Sequence, residues 1–155
     1  MKQTILGAGG AIGVELAKAL STYTRDIRLV SRNPKKINPS DELLKADLSN
    51  RDEVFKAVAG STMVYLMVGY DYNTKLWQEK WPPLIKNVVD ACIQHTCKLI
   101  FFDNVYAIGG DHVKHITENS PISPSSKKGE VRALVDRYSR AHGKGQIRSH
   151  YCPCA

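Results

Sequence analysis

The chain is 155 residues long, 43% hydrophobic and 24% charged, enough for one domain with a real core and without an apolar run long enough to span a bilayer. Its net charge of +7 raises nucleic-acid binding as a class. However, residues 125–150 alone carry seven lysines and arginines against Glu130 and Asp136, with neither an aromatic-rich basic strand nor a helix-turn-helix pattern beside them. That segment reads as the solvated face of one helix, so neither a nucleic-acid nor a membrane partner is expected.

Residues 2–6 form an apolar strand pattern that runs into Gly7-Ala8-Gly9-Gly10-Ala11-Ile12-Gly13. Ile12, Leu16, Ala19 and Leu20 then repeat on one helical face. Residues 27–31 read as a second strand. Residues 32–42, polar and containing Pro34 and Pro39, read as a loop, and 43–46 as a short third strand followed by Asp47. Asn50 caps a helix and Glu53, three residues on, completes a capping box; Val54, Phe55 and Val58 face inward and Gly60 ends it. Residues 63–68 are continuously apolar, as in a strand buried on both faces. After a loop at 69–73, a long helical stretch carries Leu84, Ile85, Val88, Val89 and Cys92, with Pro82 and Pro83 expected at a helix start. Trp77 and Trp81 flank that start and read as core or rim residues, with an interface as the alternative if they are exposed. Residues 98–102 form a fifth strand, 104–126 a long loop, and about 129–142 a last helix with Val131, Leu134, Val135 and Tyr138 on one face.

This alternation, with right-handed crossovers, predicts an α/β fold: a Rossmann-like doubly wound parallel sheet forming a single three-layer domain over residues 1–145. Residues 146–155 are expected as an irregular tail, polar and cysteine-bearing where a sixth apolar strand would begin. Such sheets bind ligands at the carboxyl ends of their strands. The informative residues fall there: 7–13, Ser31-Arg32, Asp47-Leu48, 67–69 and 103–106.

Gly-x-Gly-x-x-Gly spacing would need a glycine where Ile12 stands; Gly7, Gly10 and Gly13 fit Gly-x-x-Gly-x-x-Gly instead. Gly7 allows the tight turn, Gly10 lets backbone approach a diphosphate, and Gly13 lets helix and strand pack closely. The freed amides at the helix start face the anion. No Gly-Lys-Ser/Thr follows, which excludes a Walker loop. The expected cofactor-binding set is Gly7, Gly9, Gly10, Ala11, Ile12 and Gly13 in the turn, Ser31 and Arg32 after the second strand, Asp47 and Leu48 after the third, and Met67 and Val68 after the fourth. A free ribose 2′-hydroxyl meets an acid about 20 residues beyond the glycines. Here the chain reads Ser31-Arg32-Asn33 with Lys35 and Lys36 beyond, and holds no acid from 27 to 39. A guanidinium grips a 2′-phosphate and stacks on adenine, so NADP is the expected cofactor, with NAD the alternative. The bland reading of Arg32 is a surface arginine in a polar loop. Asp47 either accepts from the adenine amino group or caps its own loop.

The N-terminus, one lysine and then a strand, is not a secretory signal, so a cytoplasmic protein with reduced thiols is expected. Cys92 and Cys97 lie in or after an apolar helix, where buried thiols are common. Cys152-Pro153-Cys154 lacks a second Cys/His pair at metal-binding spacing, so no metal is expected.

Gly7-x-x-Gly10-x-x-Gly13, Asp47-Leu48 and Asn104-Val105-Tyr106 resemble the extended short-chain dehydrogenase/reductase family, the NAD-dependent epimerase/dehydratases that act on nucleoside-diphosphate sugars. The resemblance covers nearly the whole chain. It implies a Rossmann-like cofactor domain followed by a smaller substrate domain and, for a full-length protein, a nucleotide-sugar substrate. It also implies a Tyr-x-x-x-Lys pair near residues 122–132, the tyrosine acting as acid/base. The preceding Glu- and Pro-bearing loop is present, but Ser125-Ser126-Lys127-Lys128-Gly129-Glu130-Val131-Arg132 contains no tyrosine. Tyr138 is followed four residues on by His142 and falls on the apolar helix face, so it reads as a core or semi-buried residue. The family's Ser or Thr after the fifth strand is replaced by Asp103-Asn104. Asp103, Tyr106 and Lys127 remain as substitutes for proton transfer, with no spacing argument selecting one. The chain thus resembles an atypical branch in which binding persists and the catalytic pair is altered. The family's C-terminal substrate domain is expected to be missing from this chain; truncation is the expectation, with a reading-frame shift as one cause. Enzyme, and non-catalytic nucleotide-sensing or partner-binding module, both stay open.

Overall fold

The computed structural model describes residues 1–117 and 119–142, and the backbone of 147–152. Six strands, β1 (Gln3–Leu6), β2 (Ile27–Ser31), β3 (Glu42–Lys45), β4 (Met63–Leu66), β5 (Lys98–Asn104) and β6 (Ile147–Cys152), form one sheet in the order β3-β2-β1-β4-β5-β6. Every pairing is parallel; Leu6 stands opposite Val30 on one side and Leu66 on the other. The helices are α1 (Ala11–Leu20), α2 (Arg51–Val58), α3 (Thr74–Gln94) and α4 (Lys127–His142). The chain winds outward from β1 to β3, then returns to β4 on the other side of β1. The strand order therefore reverses between β1 and β4, the place where doubly wound sheets hold ligands.

One face of the sheet is covered by α1, through Ala17 and Leu20 against Ile5, Leu29 and Tyr65. The other is covered by α2, α3 and α4, through Val54, Val58, Trp77, Trp81, Val88, Val131 and Val135. The predicted apolar face of α1 is corrected. Gly13, Ala17 and Leu20 are buried, Leu16 is half-buried, and Ile12 and Ala19 are exposed. The helix lies so close to the strand turn that only small residues fit between them: a Cβ on Gly13 would stand 2.8 Å from the Gly7 carbonyl oxygen.

Two helix boundaries also differ from expectation. The Asn73 side chain accepts the Leu76 N–H at 3.0 Å, so α3 starts at Thr74, and Pro82 and Pro83 lie inside it. Proline cannot bond the carbonyl four residues back. The helix continues because Trp77, Trp81, Leu84, Ile85, Val88 and Val89 bury one long face. Asn50 caps α2 through the N–H groups of Asp52 and Glu53, but the capping box is not reciprocal: Glu53 Oε2 accepts the Asp47 N–H at 2.7 Å. The Asn50 N–H is already committed to the Asp47 carbonyl.

On α4, Leu134 is 47% exposed, whereas Arg132 and Asp136 are buried. Ion pairing explains the reversal of the expected pattern: Arg132 pairs with Asp103 and Asp136 with Arg140. The expected irregular tail is corrected over residues 147–152, which form β6 and pair in register with β5 from Leu99 to Asn104. Parallel pairing satisfies backbone groups whatever the side chains, and an edge strand tolerates polar residues. Residues 146 and 153–155, with Cys154, lie outside the described set. Among the described residues no helix is long and apolar enough to cross a membrane, and no three His, Cys, Asp or Glu side chains gather to hold a metal ion.

Candidate functional site

A cleft of about 620 Å³ opens at the carboxyl ends of β1 to β4, with the first turns of α3 as its far wall. Its floor is the turn from β1 to α1. Gly7 sits at φ +89°, and a Cβ there would stand 2.9 Å from the Met67 carbonyl carbon and oxygen. Glycine is thus required twice, by the left-handed backbone and by the close approach of β1 to the end of β4. Gly9 and Gly10 differ. A Cβ on Gly10 would meet nothing nearer than the Gly7 oxygen at 3.7 Å, and one on Gly9 only the Ser31 hydroxyl at 3.9 Å. Both line the cleft, so the space a side chain would fill there is ligand space. Gly10 is the N-cap of α1 and offers no side chain to the first helical N–H groups, which stay free to meet an anion.

The second and third strands supply the next wall. Ser31 ends β2, with Arg32 and Asn33 after it; Ala46, Asp47, Leu48 and Ser49 follow β3. Asp47 Oδ1 accepts the Ser49 N–H at 2.9 Å and its hydroxyl at 2.8 Å. These bonds hold the Asp47 carboxyl below the usual aspartate range, with smaller help from the charges of Arg32 and Lys80. The loop-capping reading of Asp47 is therefore realised, and the same carboxylate faces the cleft. The Ser31 hydroxyl oxygen is buried and has no hydrogen-bond partner among the described residues. Met67, Val68, Gly69 and Tyr70 follow β4 and form the back of the cleft. Burial and the charge of Asp47 push the Tyr70 phenol up.

Of the twelve expected cofactor residues, nine line this cleft. Ala11, Ile12 and Gly13 form the start of α1 behind it. Tyr70, Leu76 and Lys80 were not foreseen. Leu76 and Lys80 are one turn apart on the same side of α3. That spacing was readable, but with a helix start assigned to Pro82 it carried no meaning.

The three proton-transfer candidates lie elsewhere. Asp103 is 2% exposed and paired with Arg132, whose guanidinium carbon stacks 4.0 Å from the Trp81 ring centroid. Burial pushes the Asp103 carboxyl up to about 6, against the pull of Arg132. It serves as a core ion-pair partner, closed to substrate. Tyr106 is exposed on an aromatic wall, 5.9 Å between ring centroids from both Tyr72 and Trp77. A hydrogen bond to Tyr72 pushes its phenol up. Lys127 opens α4 and is exposed, while Lys128 Nζ sits 3.5 Å above the Tyr72 ring. Tyr138 is half-buried, and its hydroxyl donates to Asp90 at 3.2 Å.

A parallel sheet with a glycine turn at its reversal point, free helix-start amides and an orphaned hydroxyl beside them defines a nucleotide-binding α/β protein. The chain belongs to the NAD(P)H-binding family, which it matches over residues 7–141. Among curated proteins there is no sequence match. Solved structures share the fold at low identity. Uronate dehydrogenase from Agrobacterium tumefaciens is 18% identical, with a TM-score of 0.80, over 94% of this chain and 57% of that one. The GalE-like L-threonine dehydrogenase from Cupriavidus necator, in its holo form, is 20% identical, with a TM-score of 0.79, over 99% and 54%. MoeE5 in complex with UDP-glucose and NAD is 19% identical, with a TM-score of 0.76, over 97% and 53%. The chain thus spans a little over half the length of each.

Proposed function

We propose that the cleft binds NADP in preference to NAD, and that the chain is the cofactor-binding part of an epimerase- or dehydrogenase-type protein acting on a sugar or nucleotide-sugar. The observation that carries this is the convergence of the Gly9-Gly10 floor, the orphaned Ser31 hydroxyl and Arg32 on one cleft of suitable size. The free N–H groups in the first turn of α1, from Ala11 and Ile12, meet the diphosphate. Ser31 and Arg32 hold the 2′-phosphate, and Asp47 accepts from the adenine amino group. Leu48, Met67 and Val68 exclude water from the rings. When bound, such a cofactor supplies a hydride donor or acceptor.

The structural relatives include a uronate dehydrogenase and a protein solved with UDP-glucose and NAD, which supports the substrate class. A second reading, a non-catalytic nucleotide sensor, is favoured by one observation: the Tyr138 hydroxyl is committed to Asp90, outside the cleft. Calorimetric titration with NAD, NADP and their reduced forms tests the binding claim. Arg32→Ala is expected to remove about 1.5–3 kcal/mol of NADP affinity, roughly 10- to 150-fold, and to leave NAD affinity nearly unchanged. Tighter NAD than NADP binding by the parent at physiological salt would refute the preference.

A further inference from the structure

We infer that Lys80, on α3, is a second specificity-determining residue of the cofactor cleft: with Arg32 on the opposite wall it holds the 2′-phosphate of NADP between two cations. The inference rests on the cofactor reading above and concerns a residue that reading does not use.

The charge balance at this end of the cleft motivates it. Arg32 shares the corner with the carboxylate of Asp47, and the Glu53 carboxylate is bound to the Asp47 N–H at 2.7 Å. Among the cleft-lining residues, one guanidinium beside the Asp47 carboxylate leaves that pair without net charge, so a phosphate carrying close to two charges gains from a further cation. Lys80 lines the same cleft from across the gap, one helical turn beyond Leu76. Lys80 from α3 and Arg32 from the end of β2 line the same cleft as Asp47, and the charges of both favour its ionised carboxylate. Among the described residues, the one ion-pair contact of Lys80 is to Glu79 on its own helix, 3.5 Å long, with the Glu79 side chain 62% exposed. A lysine is a flexible point charge that can swing to a phosphate without the fixed geometry an arginine fork needs. Asp47 keeps its Oδ1 bonds to Ser49, so it need not be displaced.

The test measures dissociation constants of NAD and NADP, and of 5′-AMP and 2′,5′-ADP as minimal probes, for the parent, Lys80→Gln, Arg32→Ala and the double variant. Lys80→Gln is expected to weaken NADP and 2′,5′-ADP about 5-fold at moderate salt and to leave NAD and 5′-AMP unchanged, with a shallower salt dependence for NADP. Equal weakening of NAD and NADP would place Lys80 on the base or the wall and overturn the inference. So would an NADP affinity that Lys80→Gln does not alter while Arg32→Ala lowers it; the cofactor reading would then stand without Lys80. A parent that binds neither dinucleotide would sink both.

Discussion

The two ends of the sheet's carboxyl edge are built on opposite plans. At β1, β2 and β3 the edge is open. Glycines replace side chains, helix amides are free, and the Ser31 hydroxyl waits without a partner. At β5 the edge is closed. Asp103 and Arg132 are a buried pair, the Arg132 guanidinium lies over Trp77, Trp81 and Phe101, and the Gly129 backbone is pressed against the Tyr106 carbonyl. The first plan gives up contacts to make room for a ligand; the second fixes α4 on the sheet through one ion pair and a set of aromatic rings, with the Asp103 Oδ2 and the Trp81 indole N–H also unpartnered among the described residues. The end that carries the family's binding signature is thus the unfilled one, and the end where a catalytic phenol was expected is held by packing.

Glycine substitutions give the largest separation between the two demands made on one turn. Gly7→Val is expected to cost more than about 4 kcal/mol, enough to prevent folding, because it combines a positive φ with collision against the Met67 backbone. Gly10→Val is expected to fold, with φ −80° at that residue and open space at its Cβ, yet to lose at least about 100-fold in dinucleotide affinity. Circular dichroism and calorimetry check both. A folded Gly10→Val that binds like the parent breaks the open-edge account.

Arg132→Met is the matching test of the closed edge. Removing the guanidinium leaves a buried carboxylate, for a loss of about 3 kcal/mol in urea unfolding at pH 7.5. The loss should shrink toward pH 5, because the stranded Asp103 can then take a proton.

The smallest effect is the parent's own pH dependence. Asp103 has a folded pKa of about 6, above the roughly 3.9 of an unfolded aspartate. The stability this shift contributes is complete below about pH 4 and is lost as pH rises through about 6. Arg132 and Asp136 are the charged groups acting on it, in opposite directions. Between pH 5 and 8 the parent's stability should therefore fall by an amount that Asp103→Asn does not show. Parallel curves for the two proteins would contradict the burial account.

Local pattern was enough to define most of this fold. The strand at 27–31, the Asn50 cap and the glycine turn follow from period, capping chemistry and the absence of a side chain, all of which act over a few residues. The same locality made Gly9, Gly10, Arg32 and Asp47 legible as one group, since each lies in the connection that follows a strand. What pattern could not supply was decided by contacts distant in sequence. The prolines at 82 and 83 stay inside α3 because of a buried tryptophan face. Arg132 and Asp136 are interior because Asp103 and Arg140 neutralise them, and residues 147–152 are a strand because β5 offers an open edge. Lys80 joins the cleft only because α3 crosses its far wall. Sequence by itself determines what a segment prefers through short-range sterics and hydrogen bonds. Burial, charge pairing and convergence on a cleft depend on which distant groups arrive beside it, and those the tertiary structure decided.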